Sequence, residues 1–116
     1  MEGDDSTPVS ILAHDSFPPA TPGGVQAVYS AVPGQQPFID VTWTASMEAD
    51  LAGYNVYRHG ENETAVKVNG ELVKTPRFAD PNIKAGGKYF YSVSAVDLRG
   101  NESGRSEETS ENVPKE

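Results

Sequence analysis

Cysteine is absent from the 116 residues, which excludes a disulfide scaffold, a thiol nucleophile and any cysteine-ligated zinc or iron–sulfur centre. It leaves the cellular compartment open. Histidine is almost absent: His14 and His59 stand 45 positions apart, and neither has a patterned set of ligands around it. Basic residues are few. Nine Lys and Arg against seventeen Asp and Glu give a net charge of −8, the wrong sign for gripping nucleic-acid phosphates or anionic lipid. Long apolar runs are missing and Met1 to Ser6 is acidic, so neither membrane insertion nor a signal peptide is expected within this chain. No window sustains a helical period. The length suits one domain and is too short for two that each bury a sizeable core.

The acidity is concentrated at the ends. Residues 1–20 hold four acids and no base, residues 102–116 hold five acids and two bases, and the middle is nearly neutral. Pro8, Pro18, Pro19 and Pro22 with Gly23 and Gly24 suit an extended segment, so residues 1–20 are expected to be an acidic, proline-containing N-terminal linker or tail. Val9, Ile11 and Leu12 interrupt it and leave open an added edge strand. The folded domain is expected over 21–113, with 114–116 as a C-terminal tail.

Between the turn residues runs the two-residue alternation of half-buried strands. Strands are expected at 25–30, 38–44, 53–58, 77–80, 88–96 and 105–113, the last polar enough to be an edge. In the second, Ile39, Val41 and Trp43 point one way; in the third, Tyr54 and Val56 point inward, and Asn55 and Tyr57 outward. The long strand over 88–96 puts Tyr89, Tyr91, Val93 and Ala95 inward, with Phe90, Ser92, Ser94 and Val96 on the other face. Asn69-Gly70, between Val66-Lys67-Val68 and Glu71-Leu72-Val73, predicts a hairpin through a type I′ turn. The class is all-β, with about seven antiparallel strands in an immunoglobulin-like β-sandwich.

Trp43 in Val-Thr-Trp, Leu51-Ala-Gly-Tyr-Asn-Val-Tyr-Arg58, Ile83 six residues before Tyr89, and Tyr89-Phe-Tyr-Ser-Val-Ser-Ala-Val96 follow one another in an order that resembles the fibronectin type III family. The resemblance runs from about Pro18 to Val113. It implies sheets of three and four strands around Trp43, Tyr54, Val56, Ile83, Tyr89, Tyr91 and Val93. Tyr89 becomes a tyrosine corner, its ring buried and its hydroxyl bonded to backbone in the stretch from Pro81 to Gly87. Asp50-Leu-Ala-Gly-Tyr-Asn-Val-Tyr-Arg58 and Ala95-Val-Asp-Leu-Arg-Gly-Asn-Glu-Ser103 are similar to modules of bacterial secreted and surface proteins, often beside carbohydrate-active enzymes. This implies an extracellular or cell-envelope, monomeric, non-catalytic module that spaces or docks neighbouring domains of a larger protein.

The chemistry-bearing residues support no catalytic reading. Gly86-Gly87-Lys88 lacks the spacing and the Ser or Thr of a phosphate loop, and Gly100-Asn-Glu-Ser-Gly104 puts its serine at the wrong position for a nucleophile elbow. Asp97, Asn101 and Glu102, or Glu48 with Asp50, match no calcium loop, and Asp97 and Asn101 are expected to shape a turn. Arg99-Gly100-Asn101 departs from an integrin-binding Arg-Gly-Asp at its third residue. Asn62-Glu-Thr64 and Asn101-Glu-Ser103 are sequons at the frequency chance supplies. No metal or cofactor is expected. One candidate binding surface remains: Tyr57 and Phe90, outward on neighbouring strands with Asn55, Ser92 and Ser94, or the loop carrying Arg99 and Asn101. Its ligand would be a protein or a glycan. The alternative role for the two rings is a cross-strand aromatic pair that stiffens the sheet.

Overall fold

A computed structural model describes residues 18–115. The Val9 to Leu12 cluster lies outside the described residues. Seven strands form: β1 (Gln26–Ser30), β2 (Phe38–Thr42), β3 (Leu51–His59), β4 (Val66–Lys67), β5 (Arg77–Asp80), β6 (Lys88–Asp97) and β7 (Thr109–Asn112). They make a three-stranded sheet, β1-β2-β5, and a four-stranded sheet, β4-β3-β6-β7, with every pairing antiparallel. No helix occurs among the described residues. The all-β sandwich, with sheets of three and four strands, is the one the alternation and the resemblance imply.

The core forms where the inner faces meet. Ile39, Val41, Trp43, Tyr54, Val56, Tyr91, Val93 and Ala95 are buried together with Val113. The Trp43 and Tyr54 rings meet edge to face at 5.2 Å, a favoured geometry for two aromatic quadrupoles. Tyr54 also accepts the Ser46 N–H on its hydroxyl at 2.7 Å, which fixes the loop after β2. The Trp43 indole Nε1 is buried without an acceptor among the described residues.

Ile83 and Tyr89 pack against this cluster from the rim and are only partly buried, so the burial implied for the Tyr89 ring is incomplete. Its hydroxyl accepts the Lys84 N–H at 2.9 Å, the corner bond in the stretch where it is expected. The ring leaves no room beside Gly87, where a Cβ would stand 2.9 Å from the Tyr89 ring.

Three local expectations are corrected. The strand expected to reach Thr44 stops at Thr42, because Thr44 N–H donates to Gly23 and Trp43 N–H to Pro76, outside the two ladders. The strand expected over 105–113 is regular only over Thr109–Asn112.

The Asn69-Gly70 hairpin does not form. Val66–Lys67 and Val73 both pair with the same strand, β3, Lys67 opposite Tyr57 and Val73 opposite Tyr54, so the chain between them bulges off one edge instead of reversing. Neither Asn69 nor Gly70 takes a positive φ. Asn69 is buried instead: its Oδ1 accepts the Val56 N–H at 2.8 Å, and its Nδ2 donates to Asn55 Oδ1 at 3.0 Å and to Glu71 O at 2.9 Å. Its carboxamide does the work of a missing ladder residue, and satisfying a buried strand amide outweighs the local turn preference.

Two substitutions check this core. Trp43→Ala should cost on the order of 3–5 kcal/mol in a denaturant titration, whereas Trp43→Phe should cost clearly less, because no hydrogen bond is lost with the indole. Asn69→Ala should cost about 1–3 kcal/mol by stranding the Val56 amide. A denaturation midpoint unmoved by either alanine would reject the packing described.

Candidate functional site

The outer face of the four-stranded sheet holds the candidate residues. β3 contributes Asn55, Tyr57 and His59, and β6 contributes Phe90, Ser92 and Ser94, with Ser94 opposite Asn55, Ser92 opposite Tyr57, and Phe90 opposite His59. That register corrects the expected aromatic pair: the cross-strand neighbour of Phe90 is a histidine. The His59 and Phe90 rings stack with centroids 4.8 Å apart and planes 8° from parallel. Lys88 Nζ lies 5.3 Å from the Phe90 centroid, and the Arg105 guanidinium lies 5.0 Å from the Tyr57 centroid. Each ring has a partner from its own chain.

The polar members of the face are covered. Asn55 is 7% exposed, Ser92 3% and Ser94 0%. The cover comes from the segment 102–108, a strap that links the end of β6 to β7 along the edge of β6 away from β3 and reaches over the outer face with its side chains. Glu102 Oε2 accepts from Tyr57 Oη at 2.5 Å, Ser94 Oγ at 2.5 Å and Asn55 Nδ2 at 3.3 Å. Arg105 takes the Tyr57 ring, and Glu108 Oε2 stands 2.7 Å from His59 Nε2. The strap residues 102, 105 and 108 thus meet 55, 57 and 59, three strap residues for every two of the strand.

Two residues of a strand advance about 6.7 Å, so three strap residues in that span are too contracted to keep a ladder. Serines repair the mismatch. Ser103 N–H donates to Ala95 O and Ser106 N–H to Val93 O, while their hydroxyls accept the Ala95 and Val93 amides at 2.9 and 3.0 Å. Both hydroxyls also donate, to Gly104 O and Glu107 O, so neither is available as a nucleophile. Small serines on the outward side of β6 leave the strap room to lie flat.

The electrostatics follow from this packing. Burial opposes ionisation of Glu102, but the hydrogen bonds from Ser94, Tyr57 and Asn55, with the Lys67 charge, outweigh it and hold the carboxyl below its usual range. Burial and then the bond to Glu102 push the Tyr57 phenol up.

The loop after β6 is closed on itself. Asp97 accepts the Arg99 and Asn101 N–H groups, each at 2.9 Å, and Asn101 Nδ2 at 3.0 Å, around Gly100 at φ +87°. Against the cost of burial, the Asn101 and Arg99 donors keep the Asp97 carboxyl below its ordinary value. The carboxylate oxygens of these loops are spent separately: Asp97 on its turn, Glu102 on the sheet and Glu48 on the Ala20 N–H at 2.6 Å. Among the described residues no cluster of three or more His, Asp or Glu could hold a metal ion.

Sequence reasoning missed the strap, and it missed two apolar side chains at the end of the sandwich where residue 20 is fastened. Met47, in the loop after β2, is 95% exposed, and Leu98, in the loop after β6, is 71% exposed. The Leu98 N–H donates to Asp50 O at 2.9 Å, which joins the two loops.

No family model matches the chain. The amylopullulanase of Thermoanaerobacterium thermosulfurigenes is 40% identical over 67 residues, which is 57% of this chain and 3% of that protein. The amylopullulanase of Thermoanaerobacterium saccharolyticum is 38% identical over 71 residues, 61% of this chain and 5% of that protein. The chain therefore spans about a twentieth or less of these relatives. Among solved structures, an Fn3-like protein from Clostridium thermocellum superposes with a TM-score of 0.68 at 28% identity, over 85% of this chain and 97% of that one.

The pH dependence of Glu102 has a definite sign. Its folded-state pKa lies below the unfolded value, so its stabilising effect is present above about pH 4.3 and is lost as pH falls through the lower folded value. Glu102→Gln should lower the thermal midpoint at neutral pH and flatten the acid limb of the midpoint-against-pH curve. Parallel acid limbs for the two proteins would remove Glu102 from the account.

Proposed function

We propose that this chain, a fibronectin type III domain in strand order and fold, is a non-catalytic module of a larger secreted or cell-envelope protein, where it spaces or docks the neighbouring domains. In this reading residues 21–113 are the module and 1–20 an acidic linker or tail. The observation that carries it is the state of the outer face: Tyr57 lies under Arg105, Phe90 under His59, and the polar atoms of Asn55 and Ser94 are spent on Asn69 and Glu102. A platform for a sugar ring or a peptide needs an aromatic face free to stack and unpaired polar atoms beside it.

The partial likeness to two amylopullulanases, each many times longer than the matched stretch, supports a parent that acts on carbohydrate, with the chemistry carried by other domains. Met47 and Leu98 suit contact with an adjoining domain, since both sit at the end where residue 20 is fastened to Glu48. Partners are then neighbouring domains, and neither a metal nor a cofactor takes part. The competing reading, recognition of a protein or glycan through Tyr57 and Phe90 or through the Arg99 to Glu102 loop, requires the rings to leave their present partners first.

An array of glycans and candidate proteins separates the two. The chain should show no specific retention. The double variant Tyr57→Ser, Phe90→Ser should stay folded at a cost of about 2–4 kcal/mol from two lost ring contacts and the lost Tyr57–Glu102 hydrogen bond. In a parent protein, removing the module should change only how far its neighbours reach. Specific binding by the chain that disappears in the double variant would overturn the spacer reading.

A further inference from the structure

Asn69-Gly70 is a turn signal that the fold does not use, and the pair has a chemistry of its own. The Gly70 nitrogen follows the Asn69 side chain directly and can close a succinimide ring on its carboxamide carbon, an attack that a glycine hinders least. Nothing in the fold asks for glycine at this position: Gly70 takes no positive φ, and a Cβ there would meet no atom within 4 Å. The asparagine, in contrast, is needed, because its Oδ1 accepts the Val56 N–H at 2.8 Å.

In place on β3, the pair is held from reacting. Asn69 is 5% exposed, and its Nδ2 faces acceptors: Asn55 Oδ1 at 3.0 Å, Glu71 O at 2.9 Å and Tyr54 O at 3.5 Å. The Val56 N–H would welcome charge on Oδ1. Ammonia, however, cannot leave without a proton, and none of those three oxygens supplies one. The segment carrying the pair is tied at both ends. Val66 and Lys67 pair with Arg58 and Tyr57, the Val68 N–H donates to Val56 O, and Val73 exchanges both backbone bonds with Tyr54.

We propose that Asn69-Gly70 is a masked deamidation site, inert while the segment 66–73 lies on β3 and converted to aspartate or isoaspartate when that segment lifts away. In the open segment the Gly70 nitrogen gives its proton to solvent base and bonds to Cγ. Nδ2 takes a proton from water and leaves as ammonia. Water then opens the ring at either carbonyl, so the step consumes water and needs no oxidant or reductant. Neither product regains the old place. A carboxylate at residue 69 sets oxygen against Asn55 Oδ1, Glu71 O and Tyr54 O, where Nδ2 donated before, and a buried charge without donors is costly. Isoaspartate also reroutes the backbone through the side-chain carbon. Each opening that reacts is thus kept as a covalent change that loosens this edge of β3, whether the module is a spacer or a receptor.

Peptide mapping by mass spectrometry tests it, on the full chain held in mildly alkaline buffer with and without denaturant. Conversion at residue 69 should be slower in the folded chain by the protection factor of the Val56 amide, within about tenfold, since both read the same opening. A folded chain that reacts faster than this ratio allows would do so with the segment in place, and one that reacts much more slowly would need a larger unfolding; either result overturns the proposal. Gly70→Ala should slow conversion in denaturant while leaving Val56 protection in the folded chain unchanged. An undiminished rate in that variant would reject attack by the residue 70 nitrogen. Asn69→Asp, which carries one of the two products, should melt below the wild type at neutral pH, with the gap narrowing below the ordinary carboxyl range, where the protonated acid can donate. Equal thermal midpoints at neutral pH would remove the loosened edge from the proposal's consequences and overturn it in this form.

Discussion

A carboxylate buried between the sheets sets the terms for the rest of the sandwich. Asp80, at the end of β5, is 1% exposed. Its Oδ2 accepts from Arg58 Nη1 at 2.8 Å and from Tyr91 Oη at 2.7 Å, and its Oδ1 accepts the Asn82 N–H at 3.1 Å. Two of these donors belong to β3 and β6 of one sheet, and Asp80 belongs to the other. An unpaired charge in that position would be untenable, and a paired one is tolerable only when the remaining lone pairs are also satisfied. The three donors fix how the sheets lie against each other at this end, as the Trp43–Tyr54 contact does through packing alone. Arg58 also donates to Asn82 O and lies 5.4 Å from the Tyr89 centroid, so the tie extends into the turn that the tyrosine corner closes.

The same economy of donors and acceptors governs the outer face. β6 is flanked by β3 and β7, but β7 is regular over four residues only, and the rest of that edge is the strap. A strand amide without a partner is expensive wherever water is excluded, and the Ser94 side chain is fully buried. Ser103, Ser106 and Asn69 solve one problem at three places. Each lends a side-chain oxygen to a β3 or β6 amide that the neighbouring segment, being out of register, cannot reach with its own carbonyl. Irregular edges of this kind also protect the sheet from pairing with another chain, because no continuous row of free amides is left along them.

What the sequence made legible follows the reach of each interaction. Two-residue alternation located β2, β3 and β6, and it identified the inward set from Ile39 to Val93, because burial of one face imprints itself on neighbouring residues. The ends of strands were less legible. Thr44 stands in the alternation but is captured by Gly23, twenty-one positions away, and nothing local signals that bond. Asn69-Gly70 was misread for the opposite reason: its local signal is strong, and a buried amide of β3 overrode it. The outer face was misjudged because alternation reports which way a side chain points and says nothing about what lies over it. The pairs that join the strap to β3 are 45 to 49 positions apart. One trace was present, the row Ser92, Ser94 on the outward side of the longest strand, where an open face would tolerate larger side chains.

The covered face also bears on what such a module can do. Recognition surfaces draw their energy from aromatic and cationic anchors that lose water on binding and gain contacts they lacked before. Here Tyr57, Phe90, Arg105 and His59 have already made those contacts with one another, so a ligand would gain only the difference between its contacts and theirs. Stiffness is what the arrangement supplies instead. A strap tied to β3 by a carboxylate, a guanidinium and a second carboxylate holds the two edges of β6 together, and a spacer transmits distance between its neighbours only as well as its weakest edge resists bending. The two most exposed apolar side chains lie elsewhere, Met47 and Leu98 at the end where residue 20 is fastened, with Val28, Val32 and Val66 less exposed at other places. The largest unspent apolar contacts are therefore at an end of the sandwich, which is where a neighbour along the chain would meet it.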